Sequence, residues 1–300
     1  ADITGNVDFG KQIVVTIPRK GDLVHTIILE VDLPNISDNG QNGTEQLSYI
    51  NGLGHALIDY VELEIGGQLI DKHYGEWMEI WTQLSYDESK QTAYDTLIPR
   101  SNIDTQVKLD SSNDTSSKTV YIPLQFWFCR NIGLALPLIA LQYHDVKLKI
   151  NWGSGAADDG LSRSGAATVT PDVEVWCDYI YLDTDERRRF AQVSHEYLIE
   201  QVQRDDIAAS TSNKLNFNHP VKELIWSTST QASSVGLKLN GHDRFAERDG
   251  DYFSIVQPYQ HHTSSPAHGI NIYSFALKPE LKINKGNSDA KLRNFLLCSL

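Results

Sequence analysis

Alternation with a period of two dominates the chain. Across residues 22–32, Leu23, Ile27, Leu29 and Val31 fall on one face and Asp22, Thr26, Glu30 and Asp32 on the other. Successive side chains of a strand point to opposite faces, so this spacing predicts a strand with one buried and one wet face. The pattern recurs at Ile58–Ile65, His144–Ile150, Val173–Leu182, Val221–Thr228, Val235–Leu239 and Ile270–Leu277. Many of these segments are rich in the β-branched and aromatic residues that suit a pleated surface. Polar stretches at Asn35–Thr44, Ser111–Lys118, Gly153–Thr170 and Ser210–Lys214 read as surface loops. Helical spacing is rare. Trp77, Ile80, Trp81 and Leu84 stand at i, i+3, i+4 and i+7 and predict a helix over Gly75–Ser85, with Asp185–Gln192 and Glu196–Gln203 as two further candidates. The expectation is an all-β chain with a few short helices, of sandwich or jelly-roll type.

An ordered internal repeat refines this to two copies of one unit. Leu63-Glu64-Ile65-Gly66-Gly67, followed by Gly75-Glu76-Trp77, corresponds to Leu237-Lys238-Leu239-Asn240-Gly241, followed by Gly250-Asp251-Tyr252. Val120–Leu124 then corresponds to Ile272–Leu277. Each copy reads as a strand, a glycine turn and a helix whose aromatic residue plugs the end of a sandwich. The first copy continues through further strand patterns to Leu182. After Leu277 only Phe295-Leu296-Leu297 stands out. Two tandem β-sandwiches are expected, the second incomplete toward its C-terminal end and leaving strand edges for a partner to cover.

Composition excludes several classes. With 40% hydrophobic and 22% charged residues in 300, the chain has material for two cores and is not disordered. Lys and Arg number 26 against 39 Asp and Glu, a net charge of −13. Such a chain repels phosphate backbones and anionic membrane faces, so direct nucleic-acid binding is not expected. Cys129, Cys177 and Cys298 are too few and too scattered for a disulfide framework, which favours a reducing compartment. No signal peptide is visible at Ala1–Asn6, and the absence of an initiator Met leads us to expect a cut or omitted N-terminus. The longest apolar stretch, Gly133–Leu141, contains Pro137 and is too short to span a bilayer.

Candidate chemistry is sparse. His195-Glu196 begins like a zinc-protease helix, but Ile199 occupies the position of the second imidazole. Gly160–Gly165 nearly matches a nucleophile elbow but lacks its strand-to-helix setting. His261-His262, His268 and His242-Asp243 supply ligand atoms without a His-x-His pair, and adjacent strand residues face opposite ways. A cupin-like metal enzyme is therefore disfavoured. Asp183 and Asp185 read as helix-starting residues. Arg187-Arg188-Arg189 is the only basic run and suits ion pairs or an interdomain contact better than phosphate binding. Asn35, Asn42 and Asn113 open glycosylation sequons in expected loops. A jelly-roll carbohydrate-binding module is the alternative reading, with Tyr259 and Trp226 as stacking residues. No catalytic, metal-binding or cofactor-binding residue is assigned, and no cofactor.

Several segments carry a resemblance. Asp8-Phe9-Gly10-Lys11, Arg19–His25 and Val31-Asp32-Leu33-Pro34 resemble the opening of the major capsid proteins of nucleocytoplasmic large DNA viruses, the phycodnavirus, iridovirus and mimivirus group. Pro123–Asn131 and Gly133–His144 are similar to the most characteristic stretch of that family. Asp185–Ala191, Phe217–Leu224, Asn240–Phe245, Gln257–His262 and Tyr273–Leu277 continue the likeness. The N-terminal arm usual in the family is missing, and Leu281–Leu300 do not resemble its continuation. The resemblance implies a double jelly roll, two tandem jelly-roll β-sandwiches over 1–186 and 187–300, the second a linker helix and roll lacking its C-terminal strands. It implies a non-enzymatic late protein whose homotrimers are pseudo-hexagonal capsomers. Such capsomers meet neighbouring capsomers and minor capsid proteins in an icosahedral virion, over an internal membrane layer, after assembly in the host cytoplasm. Arg187, Arg188 and Arg189, at the junction of the rolls, are the expected interdomain or intersubunit contact.

Overall fold

The computed structural model describes residues 1–33, 52–99, 118–153, 171–206, 212–228, 231–266, 269–280 and 295–299. The chain forms two compact units, Ala1–Glu79 with Gln91–Leu198, and Ile80–Lys90 with Ile199–Leu300. Residues 187–198 thus fall in the first unit, whereas the sequence reading draws its boundary after residue 186.

The first unit contains strands β1 (Asp2–Thr4), β2 (Gln12–Thr16), β3 (Leu23–Leu33), β4 (Ile58–Ile65), β5 (Gln68–Tyr74), β6 (Lys118–Pro123), β7 (Leu136–Pro137), β8 (Val146–Trp152) and β9 (Asp172–Ile180). Helices α1 (Leu53–Ala56), α2 (Gly75–Ser85), α3 (Glu88–Leu97), α4 (Trp127–Arg130) and α5 (Thr184–Gln192) follow along the chain, with α2 from Ile80 and α3 up to Lys90 counted in the second unit. One sheet runs in the order β1-β2-β8-β4-β5 and the other is built on β3, which pairs with β6, β7 and β9, all antiparallel. Alternation decides which side chains go inside. Ile13 and Val15, Leu148 and Ile150, Val61 and Leu63 line one inner face, while Ile27, Leu29 and Val31 with Val120 and Ile122 line the other. All are buried, and each contributes roughly 1.5–3 kcal/mol by leaving water.

In the second unit, β10 (Val202–Asp206), β11 (Glu223–Ser227), β16 (Ile270–Ser274) and β17 (Phe295–Ser299) form a sheet in the order β10-β17-β11-β16. Strands β12 (Ser234–Val235) and β15 (Arg248–Asp249) pair with each other, as do β13 (Lys238–Leu239) and β14 (His242–Asp243). A π-helical turn at Tyr252–Val256 runs into α6 (Gln257–His261). Phe253 is fully buried against Leu224 and Trp226, and Phe245 and Tyr273 pack around it.

The expected helix Gly75–Ser85 is present, with Trp77, Ile80, Trp81 and Leu84 all buried. The helix expected at Glu196–Gln203 is absent. Residues 196–201 form neither helix nor strand, and the last two residues of the expected helix open β10, which takes its ladder from β17; sheet pairing outweighs local helical preference there. The strand expected at Val235–Leu239 is two two-residue strands with a break between them. Helix α3 has no counterpart in the sequence reading, because its mostly polar residues give it little apolar periodicity; Tyr94 is its one buried residue.

The repeat has a structural basis. Gly66 and Gly67 turn β4 into β5 with φ of 60° and 83°, and Asn240 and Gly241 turn β13 into β14 with φ of 52° and 82°. Two consecutive positive φ values make the two-residue hairpin turn that matches strand twist. Gly75 and Gly250 follow in the two copies. A Cβ on Gly75 would sit 2.3 Å from the His55 and Ile58 carbonyl oxygens, and one on Gly250 2.0 Å from that of Ala232. The plug differs between the copies. The buried aromatic after Gly250 is Phe253 rather than Tyr252, and Ile255 is exposed where Ile80 is buried. The π-helical turn, with its wider spacing, carries this change of face.

Candidate functional site

The polar groups that the fold holds most firmly are clusters of charge. At the end of β9, Asp183 caps α5 by accepting from the Thr184 N–H at 2.7 Å, as its sequence position predicts. One turn later Arg187 donates from Nε and Nη2 to a single Asp22 oxygen, each at 2.8 Å. The other Asp22 oxygen accepts the Leu182 N–H at 2.8 Å. The Asp22 backbone binds the Ile180 carbonyl and the Ile139 N–H, both at 3.1 Å. Asp22 is buried, and burial alone would raise its carboxyl pKa; the Leu182 N–H and the Arg187 guanidinium outweigh this and hold it below its ordinary value. Arg187 is therefore engaged within the first unit. Arg188 and Arg189 are exposed.

Elsewhere in the first unit, His55 is buried between Glu79 Oε2 at 2.7 Å and the Tyr94 hydroxyl at 2.8 Å. His73 pairs with Asp71 at 2.9 Å and stacks on Phe126 with centroids 4.4 Å apart. In the second unit Lys222 is buried with Glu200, Nζ to Oε1 at 2.5 Å. Beside it His262 lies between two carboxylates, Nε2 at 2.6 Å from Glu223 Oε1 and Nδ1 at 2.7 Å from Glu280 Oε1. Burial opposes charge on the ring, but hydrogen bonds to Glu223 and Glu280 outweigh it and lift the pKa to about 9. The sequence offers His261-His262 as a weak signal, whereas Glu223 and Glu280 come from distant segments and escape notice.

The outer faces of the first unit's sheets differ. On the β2-β8-β4-β5 side, Glu62 faces both Lys72 and Lys149 in register, and the Lys72–Glu62 pair closes to 3.1 Å. Lys149 binds Glu64, and the Lys72 ammonium lies 3.4 Å from the Tyr60 ring centroid. On the other sheet Glu30 faces Glu174, and Asp32 faces Asp172. There the exposed Trp176 and Tyr121 donate to Glu30, at 2.5 and 3.0 Å.

The remaining candidates do not converge. Asn35, Asn42, Asn113, His268 and the Gly160–Gly165 stretch lie outside the described residues. His242 and Asp243 are exposed on β14, and His195 binds the Phe190 carbonyl at 2.8 Å. Among the described residues no group of three His, Cys, Asp or Glu is placed to hold a metal ion. Trp226, 9% exposed, packs on Phe253 at 5.4 Å between centroids, so it offers no face to a sugar; Tyr259 is 82% exposed. Burial pushes the Cys129 thiol up to about 12 and raises Cys177 as well.

Comparison with known proteins identifies what this framework is. A family model described as the major capsid protein N-terminus matches residues 1–183, and one described as the large eukaryotic DNA virus major capsid protein matches 186–235 and 229–290. The chain belongs to the major capsid proteins of large eukaryotic DNA viruses. The major capsid protein of Pyramimonas orientalis virus is 46% identical, over 92% of this chain and 75% of the relative. That of Phaeocystis pouchetii virus is 34% identical, over 92% and 80%. The solved structure of PBCV-1 VP54, fitted into a reconstruction of the virophage Sputnik, matches with a TM-score of 0.76 and 33% identity, over 94% of this chain and 77% of that one. The fold of this capsid protein is thus the double jelly roll, and it is a component of the virion capsid. These relatives give the carbohydrate-binding alternative no support, in keeping with the buried Trp226.

Proposed function

We propose that this capsid protein acts by burial against copies of itself, as a homotrimer whose six jelly rolls, two from each chain, form a pseudo-hexagonal capsomer of an icosahedral shell. The observation that carries this reading is the family match along both halves of the chain, 1–183 and 186–290, since a two-roll subunit turns threefold symmetry into six wedges. Those limits change over between residues 183 and 186, close to the division after residue 186 that this reading uses for the two rolls. The polar clusters described above are each held by partners from this same chain, which favours a non-enzymatic part. In this reading neighbouring capsomers, minor capsid proteins and an internal membrane layer are the partners, nucleic acid is not touched directly, and a late protein is assembled in the host cytoplasm. Arg188 and Arg189, exposed beside the Arg187–Asp22 pair, are the residues we assign to an intersubunit contact. Native mass spectrometry of the purified chain tests the proposal. A species of three chains is the expected result, and a strictly monomeric chain at every concentration overturns it.

A further inference from the structure

The Glu223–His262–Glu280 cluster has a property that follows from proton counting. A neutral imidazole carries one N–H, and only the doubly protonated ring donates at both nitrogens. Both nitrogens of His262 meet carboxylate oxygens, and the ring is wholly buried. The groups facing it are Glu223 from β11, Glu280 from the segment after β16, and Trp81 of α2, edge-on with centroids 6.5 Å apart. Thr263 donates its N–H and its hydroxyl to Glu280. Close by in sequence, Lys222 pairs with Glu200 and the His261 ring meets the Leu277 carbonyl.

We propose that His262 is a proton-held clasp, which fastens the segment after β16 to β11 and lets go of Glu280 when the ring loses its second proton. The asymmetry of the two carboxylates decides which one leaves. Glu223 is fully buried, and its Oε2 has no hydrogen-bond partner among the described residues. The single N–H that remains is therefore held at Nε2 for Glu223, whose loss of it would leave a buried charge without a donor. The proton lost goes to solvent base, and Nδ1 then turns a lone pair toward the Glu280 oxygen 2.7 Å away. Glu280, whose side chain is 16% exposed, can move to water. Because the two carboxylates hold the ring protonated well above the ordinary histidine value, the clasp is closed at neutral pH and opens in the alkaline range. This inference concerns the second unit alone and does not depend on trimer formation.

Histidine-selective NMR on the full chain, with hydrogen exchange read by mass spectrometry, tests it. The signal lost in His262→Gln identifies the ring, and its titration midpoint is expected at about 9. Exchange over residues 263–280, corrected for intrinsic base catalysis, should rise roughly tenfold or more between about pH 7.5 and about pH 10.5. In His262→Gln the corrected exchange should be flat over that range. Glu280→Gln, at a partly exposed position, should lower the His262 midpoint by about one unit. If His262→Gln does not fold, the wild-type exchange profile and Glu280→Gln still decide. A midpoint at or below the ordinary histidine value, or protection unchanged across the range, overturns the clasp.

Discussion

At the scale of single residues, the fold places charge where a partner already waits. Arg187 is the clearest case. Its guanidinium neutralises Asp22, a buried carboxylate 165 residues earlier in the chain. Removing it leaves that carboxylate with one backbone donor from Leu182. Arg187→Ala should therefore lower unfolding free energy by about 1–3 kcal/mol, the cost of stranding a buried polar group, read from urea midpoints at constant slope. Arg187→Lys should recover only part, because an ammonium lacks the two-pronged fork that reaches a single oxygen from Nε and Nη2. The pH dependence has a fixed sign. Asp22 is depressed in the folded chain, so its stabilisation is fully present above the ordinary carboxylate value and is lost as pH falls through the folded value. In Arg187→Ala the folded value moves up toward the ordinary one, so the stability lost on acidification through Asp22 should shrink. An unaltered acid limb would mean that the Leu182 N–H alone holds the carboxylate down. The Asp183 cap is legible from sequence because a cap acts on its immediate neighbours. The Arg187–Asp22 pair is not, because no local spacing announces a partner so far away.

At the scale of elements, the two copies of the unit share their turns more closely than their cores. Each has a two-residue hairpin with both φ values positive, and each then has a glycine pressed against a backbone carbonyl. Gly75→Ala and Gly250→Ala should each destabilise by roughly 1–3 kcal/mol, since a carbonyl oxygen near 2 Å cannot yield as a flexible side chain can. Gly67→Ala is the control: a Cβ there meets nothing within 4 Å, so its cost is confined to the positive φ, about 1 kcal/mol. Thermal melts in which Gly75→Ala and Gly67→Ala lose equally would refute the close-approach explanation. These glycines explain why the repeat is readable at low identity, because a steric requirement fixes the residue while the surrounding hydrophobes are free to change. The strands were legible for a related reason. In the first unit one face of each sheet is buried and the other solvated, so alternation survives in the sequence. In the second unit the strand expected within Val221–Thr228 is present as β11, but Glu223, Leu224, Ile225 and Trp226 are buried in succession rather than on one face. The helical spacing at Glu196–Gln203 gives way at its end to β10, whose ladder comes from β17, more than ninety residues away in sequence, where no local pattern can announce it. The candidate cluster around His262 was the least legible, since three separate segments must fold before its charges meet.

At the scale of the whole molecule, assembly must work against the chain's own charge. Copies carrying −13 each repel one another, so the attraction that joins them is either burial of apolar surface or a local contact of opposite sign. These two forces respond oppositely to salt. Screening lengths fall from ~10 Å at 0.1 M to ~3 Å at 1 M, which removes long-range repulsion while leaving apolar burial intact. If burial drives association, the trimer fraction should rise with ionic strength. The contact assigned to Arg188 and Arg189 is a smaller, screened term on top of this. Arg188→Glu with Arg189→Glu should reduce trimer at low salt by the equivalent of about 1 kcal/mol per lost exposed pair, and the deficit should shrink as salt is added. Light scattering of wild type and double variant across a salt series separates the two terms. A wild-type trimer that falls apart as salt rises would mean that ion pairs hold the subunits together. A double variant that trimerises like wild type at low salt would remove these arginines from the interface while leaving burial as the force that joins the copies.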